Sequence, residues 1–345
     1  MASAKSVLKK TQMKMMNKVF YVAFFLQFTT SNSAFPETLE QQRVNLIKKI
    51  KSRHLYSPEI LKNLDRIIKR KGYISQGNPE VTQHPKTISE CKKKIDPKSV
   101  GKPQFTSICK DHFMAPLYKK NQGMEQAKVC IDQFEFPNIP CEYPVVWVRA
   151  VEAQEICKAV GKRLCDASEW EQACAGEYTQ DRYLFAAKNT SVGAAHNKQR
   201  RTLNRTRQKV WAYGKKQDHK LCGTGSRKSQ SCDKALRSGK SVWKHCGSNT
   251  YPSGYFPKCK SKFEVYDQHG NAAEHMNLPL YERQLSREGY SGHVEMKGSW
   301  FIFASISAHP DDCHWRAPYW HGTPVNARKS HHNYHLGFRC CKDIR

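Results

Sequence analysis

The side chains of this 345-residue chain best able to do chemistry are fourteen cysteines, a histidine-rich stretch near the C-terminus and a dense run of cations beside aromatics. Cysteines either pair as disulfides or ligate a metal as thiolates. Between Cys91 and Cys341 there is no pair of Cys-x-x-Cys motifs, the arrangement that a common type of structural zinc site uses. An even number in an exported chain reads instead as up to seven disulfides. His309, Asp311, Asp312, His314, His321, His331, His332 and His335 crowd the C-terminal region. Imidazole and carboxylate suit zinc, iron or copper, and His331, His332 and His335 are the tightest trio. The plainer reading is a polar loop carrying surface histidines. The sequence has no Gly-x-Ser-x-Gly elbow and no nucleotide-binding glycine loop, so nothing nominates a nucleophile.

Lys and Arg number 58 against 30 Asp and Glu, a net charge of +28. Residues 198–262 hold 18 of these cations against Asp218 and Asp233, a local net of +16. Arg200, Arg201, Arg205, Arg207 and Lys209 run into Trp211 and Tyr213. Cations beside aromatics can hold phosphate backbones or sulfated sugars. The expected partners are an anionic glycan, a nucleic acid or an acidic envelope surface, held electrostatically and without sequence reading. The other reading is a solvated, loop-rich insertion pinned by Cys222, Cys232, Cys246 and Cys259. Asn189-Thr190-Ser191 and Asn204-Arg205-Thr206 are glycosylation sequons in a eukaryotic host.

The first residues read as an export signal. Lys5, Lys9, Lys10, Lys14 and Lys18 precede the apolar run Val19–Leu26, and the small residues Ser31, Ser33 and Ala34 follow. That order matches a signal peptide over residues 1–34, so the mature chain is expected to be secreted or periplasmic. No apolar run reaches the ~18 residues of a spanning helix, and no transmembrane insertion is expected.

The elements that must position these groups change along the chain. Residues 35–74 read as a basic helical arm: Ile60, Leu61, Leu64, Ile67 and Ile68 follow helical spacing, with Ser57 as N-cap, Pro58 at the first helical position and Gly72 as stop. Its apolar stripe either docks on an anionic surface or packs on its own domain. Prolines and few apolar residues mark 75–124 as linker and lead-in. From 125 to 345 the pattern is α+β. Val129–Asp132 and Pro144–Val148 look like strands. Ala153, Ile156, Cys157 and Val160 share one helix face, and Asp166 with Glu169 forms a capping box for a second helix burying Trp170, Ala173 and Cys174.

Four segments in order carry a resemblance: Ile131–Asn138, Gly161–Glu171, Tyr266–Glu274 and Gly337-Phe338-Arg339-Cys340, the last preceded by Gly298-Ser299-Trp300. Together they resemble the formylglycine-generating enzyme family, the sulfatase-modifying factor domain, over roughly 125–342. The resemblance implies that family's variant of the C-type-lectin-like fold, disulfide-rich and low in regular secondary structure, here with an N-terminal helical arm and a basic insertion at 198–262.

It also implies particular partners. Cys157 falls where the family pairs it with Cys340, and Cys174 where it meets Cys313; Cys130 with Cys141 is a local guess. The family's structural calcium maps to Asp267, Gly270, Ala272 and Glu274, against the alternative of a capped turn. Ser299, Trp300 and Arg316 lie nearest the family's substrate pocket and are expected to line a ligand groove. The family's two copper-binding cysteines fall on Ile302 and Ser307, and its tryptophan before the glutamate is Ala273. No copper is therefore expected. The function that emerges is an exported, non-catalytic domain binding an anionic polymer or cell-surface ligand. The alternatives are a metal-dependent oxidoreductase of the formylglycine-generating type with a repositioned metal, and a structural envelope protein.

Overall fold

Leu61, Leu64, Ile67 and Ile68 recur at helical spacing, and they line the buried face of a helix. In the computed structural model, which describes residues 37–70, 72–179, 183–205, 208–238, 241–285, 292–318 and 322–344, α1 (Leu39–Arg53) and α2 (Pro58–Arg70) form a packed pair of helices. Ser57 Oγ accepts the Ile60 N–H, as an N-cap should. The arm's apolar stripe does not face outward. Leu46, Ile50, Leu64 and Ile68 share one core with Ile156, Leu164 and Phe338 of the main body, burial that contributes roughly 1.5–3 kcal/mol per large side chain. Residues 1–34, read above as an export signal, Arg207 and His321 lie outside the described residues.

The stretch 75–124 is more than a linker. It carries α3 (Ile88–Lys94), α4 (Pro103–Cys109) and β1 (Met114–Leu117). Cys91 bonds Cys141 and Cys109 bonds Cys130, in place of a Cys130–Cys141 pair. Pro103 starts α4 and Pro116 sits within β1, so these prolines do not break order.

The main body holds β2 (Val129–Asp132), α5 (Ala150–Ala159), β3 (Arg163–Leu164), α6 (Ala167–Ala175), α7 (Val192–Asn204), α8 (Gln230–Ser238), α9 (Val242–His245), β4 (Ala273–Leu278), β5 (His293–Lys297), β6 (Leu336–Phe338) and β7 (Cys340–Asp343). One sheet is antiparallel in the order β1-β2-β7-β3. The other runs β5-β4-β6, with β4 parallel to β6. Successive strand residues face opposite ways, so neighbouring Cys340 and Cys341 staple in two directions: to Cys157 on α5 and to Cys165 just before α6.

Pro144–Val148 is buried but is no named strand. Trp147 has φ +60°, which ends an extended run. The Val145, Val146 and Trp147 N–H groups go to three separate segments, at Phe136, Ser75 and Asn333. In the insertion, Cys222–Cys259 and Cys232–Cys246 hold α8, α9 and the intervening loops.

Candidate functional site

The motif segments, far apart in sequence, meet around one buried arginine. Glu274 of β4 gives both carboxylate oxygens to Arg339, Oε1 to Nη2 and Oε2 to Nε, each at 2.7 Å. Trp170 of α6 donates its indole N–H to the same Oε2 at 3.0 Å. The remaining guanidinium hydrogens reach the carbonyls of Asp132, Gln133 and Tyr266. Beside this pair, Glu135 accepts from Ser253 Oγ and Asn271 Nδ2 at 2.7 Å and from the Ala272 N–H at 2.8 Å. Asp267 accepts the Gly254 N–H.

All of these groups are buried. Three carboxylates thus share one guanidinium, and charge buried without a partner is costly. Burial, followed by the charges of Asp267 and Glu274, pushes Glu135 well above the usual carboxylate range. Burial likewise pushes Asp267 up to about 7. Such a surplus of buried acid is neutralised by a proton or by a cation, and oxygen donors are those a hard divalent cation takes. Of the family's ligand positions, Asp267 and the Gly270 and Ala272 carbonyls offer such oxygens, whereas both Glu274 oxygens are held by Arg339.

The Gly-Ser-Trp segment leads elsewhere than expected. Ser299 is buried; it accepts the Gly270 N–H at 2.8 Å and donates to Asp311 Oδ2 at 3.2 Å. Arg316 is buried too, with Nε on Glu171 Oε1 at 2.6 Å and Nη1 on Gln199. Expected to line a groove, both side chains instead spend their polar atoms inside the core. Trp300 is half-buried, 4.2 Å from the His335 ring and 5.8 Å from Tyr334. Ile302 is 1% exposed, packed in a cluster with Trp147, Phe301 and Tyr334. Ser307 is exposed and donates to the Phe303 carbonyl. Neither position supplies a thiolate, and all fourteen cysteines stand in disulfides. These residues do not fit a two-thiolate copper site.

The C-terminal histidines disperse. His309 stacks on Trp315 at 4.1 Å. His332 meets Tyr73 and Arg149, and His335 meets Trp300. Among the described residues the metal-ligating side chains that converge are Cys174, His269 and Cys313. Two of those are already joined to each other.

On the insertion, Arg200 is half-buried while Arg201 and Arg205 are exposed on and just after α7. Among the described residues of 198–262, only Lys209 and Lys228 have a carboxylate partner, Asp312 at 3.2 Å and Asp233 at 2.5 Å. The same region lines a cavity of ≈ 1040 Å³ bordered by Trp211, Tyr213 and four lysines. Sequence reasoning singled out Trp211 and Tyr213 as aromatics next to the arginines. It missed the enclosure, because its walls come from α6, α7 and the 257–262 strip at once.

Small sheets, short helices and long loops held by seven disulfides define a C-type-lectin-like domain. The chain belongs to the family described as "Sulfatase-modifying factor enzyme 1-like domain", which matches residues 31–344. Comparison with curated proteins returns no sequence match. Among solved structures, CarF is similar at 12% identity, covering 67% of this chain and 96% of that one with a TM-score of 0.35. PvdO from Pseudomonas aeruginosa is similar at 13% identity, covering 67% of this chain and 91% of that one with a TM-score of 0.31.

Proposed function

We propose that this chain is an exported, non-catalytic member of its family that binds an anionic polymer or acidic cell surface through the 198–262 insertion. The observation that carries the reading is the excess of cations without counter-charges: among the described residues of that stretch, two of the Lys and Arg side chains have a carboxylate within reach. Ordinary surfaces intersperse both signs; a one-sign field attracts polyanions and accelerates their capture.

The non-catalytic part is supported by an aliphatic side chain at Ile302, a surface hydroxyl at Ser307 and the pairing of every cysteine. Export is supported by the disulfides, which persist in oxidising compartments. Among the described residues no helix is long and apolar enough to cross a membrane. Calcium at Asp267 and the Gly270 and Ala272 carbonyls would neutralise the buried acid surplus and hold the Gly-Asn turn; its part is structural.

Retention on immobilised heparin tests the reading. The wild-type chain is expected to be retained at low salt and released as salt rises, because released counterions drive such contacts. Changing Arg200, Arg201 and Arg205 together to Ala is expected to move elution to lower salt. Unchanged elution of that variant would remove the insertion from the binding surface.

A further inference from the structure

The cavity between the insertion, the end of α6 and the segment at Leu184 is built differently from a polyanion track. Its interior is apolar, with Leu184, Leu203, Val210, Trp211 and Leu221 in the wall. Its cations are Lys215, Lys258, Lys260 and Lys262, and the Lys260 ammonium lies 5.7 Å from the centre of the Tyr266 ring. Among the described residues none of these four has a carboxylate within ion-pair distance, and Glu177 is the one acid in the lining. Along 258–262 exposure alternates: Cys259 and Ser261 are buried while Lys258 and Lys262 are exposed and Lys260 is half-buried. Lys258, Lys260 and Lys262 all line the cavity, with Ser261 between them.

The walls are fixed by bonds from below. Cys259 is bonded to Cys222, next to Leu221. Cys174 at the end of α6 is bonded to Cys313, whose N–H donates to the Val210 carbonyl at 2.8 Å. Trp211 and Gly214 exchange backbone hydrogen bonds across a tight turn. Within that turn the Ala212 N–H is held by His269 Nε2 at 3.0 Å. A concave, largely apolar, preformed site with a few charged groups is the usual form of a small-ligand pocket, and preorganisation lowers the cost of binding.

We propose that this cavity binds one amphiphilic anion, its apolar body against Trp211, Leu203 and Leu221 and its carboxylate, sulfate or phosphate headgroup at Lys258, Lys260 and Lys262. A polymer needs cations spaced along a track, whereas these lysines share one cavity with an apolar wall of Leu203, Trp211 and Leu221. The site deepens the anion-binding reading of the insertion, yet it can stand or fall apart from it, since the exposed arginines lie outside the lining.

The test is fluorescence titration of the full-length mature chain with 11-(dansylamino)undecanoic acid and its methyl ester. The acid is expected to saturate at one per chain, and the ester to bind about tenfold more weakly. Leu203→Trp and, separately, Ala212→Trp fill the space and are expected to weaken the acid at least tenfold. Lys258→Gln, Lys260→Gln and Lys262→Gln together are expected to bring acid and ester to similar affinity. Circular dichroism and thermal melting confirm that each variant folds, and Leu184→Phe is the substitute filler should one fail. Non-saturating binding, or full affinity in two folded filler variants, would overturn the site. Heparin elution of the same filler variants is expected to match wild type. Loss of heparin retention in the arginine variant with intact dansyl binding separates the two claims, as does the reverse.

Discussion

At the scale of single residues, the buried acids around Arg339 dominate. Glu274→Gln leaves a buried guanidinium with half its partner, and removing one member of such a pair costs roughly 3–5 kcal/mol; denaturant unfolding should show a loss of that order. Asp267, pushed up to about 7 by burial, gives a pH signature. An unfolded aspartate titrates near ~3.9. Between there and the folded value, the native state holds a proton that the unfolded chain lacks, so stability from this group rises as pH falls through that window. Asp166, also pushed up to about 7 by burial and then Glu169, adds to the same trend. Asp267→Asn should therefore flatten part of the rise in melting temperature on acidification, and calcium should raise the wild-type melting temperature more at alkaline than at acid pH. A calcium effect equal at both would argue against Asp267 as ligand. At the second sequon, Asn204 already bonds both the N–H and the carbonyl of Arg316, whereas Asn189 is exposed. Glycan mapping from a glycosylating host should find Asn189 occupied and Asn204 bare. Asp267 and Glu274 were legible from their motif. Glu135 and Arg339 were not legible as their neighbours, because Glu135 bonds Asn271 across 136 residues and Arg339 bonds Glu274 across 65, which leaves no local trace.

At the scale of elements, legibility followed periodicity. α2 was readable because Ile60, Leu61, Leu64, Ile67 and Ile68 keep helical spacing behind a Ser-Pro start, and α5 because its apolar residues share a face; α6 was read as having one buried face, whereas Ser168, Glu169, Glu171 and Gln172 are buried with Trp170, Ala173 and Cys174. Leu64, fully buried between the arm and the main body, should lose about 2–5 kcal/mol on change to Ala, seen as a lower denaturant midpoint with an unchanged slope. A free-swinging arm would show no loss. The capping box at α6 was readable in part: Glu169 Oε2 does accept the Asp166 N–H at 2.9 Å. The Asp166 carboxylate itself is drawn away to Asn277 and Tyr183, a tertiary choice that no local pattern encodes. The stretch 75–124 went unread although Thr87 with Glu90 caps α3 and Pro103 opens α4; its elements are short, and strand pairing, side-chain bonds and two disulfides from distant segments hold them. Cysteine count alone leaves connectivity open.

At the scale of the whole molecule, distant staples and uneven charge set the behaviour. Cys157–Cys340 closes a separation of 183 residues, but Cys165–Cys341 closes 176 of nearly the same loop; replacing Cys157 and Cys340 with Ser should therefore cost about 3 kcal/mol, as for a short loop, if unfolded-chain entropy governs the effect, measurable as a shift in unfolding midpoint. The disulfides use every cysteine, so oxygen consumption with a cysteine-containing peptide and added copper is expected to stay at background, and copper-dependent turnover would restore the oxidoreductase reading. The net charge of +28 was legible at once, and its concentration in 198–262 nearly so. Which cations lack partners was not, because that depends on where Asp311, Asp312 and the other acids fold. The central claim is that those cations bind a polyanion. Its most direct test is fluorescence anisotropy of a labelled heparin oligosaccharide titrated with the mature chain at several salt concentrations. The account predicts that log K falls linearly with log salt, and that changing Arg200, Arg201 and Arg205 to Ala reduces the slope by about one per cation that contacts the ligand. Binding insensitive to salt, or a slope unchanged in the variant, would contradict it.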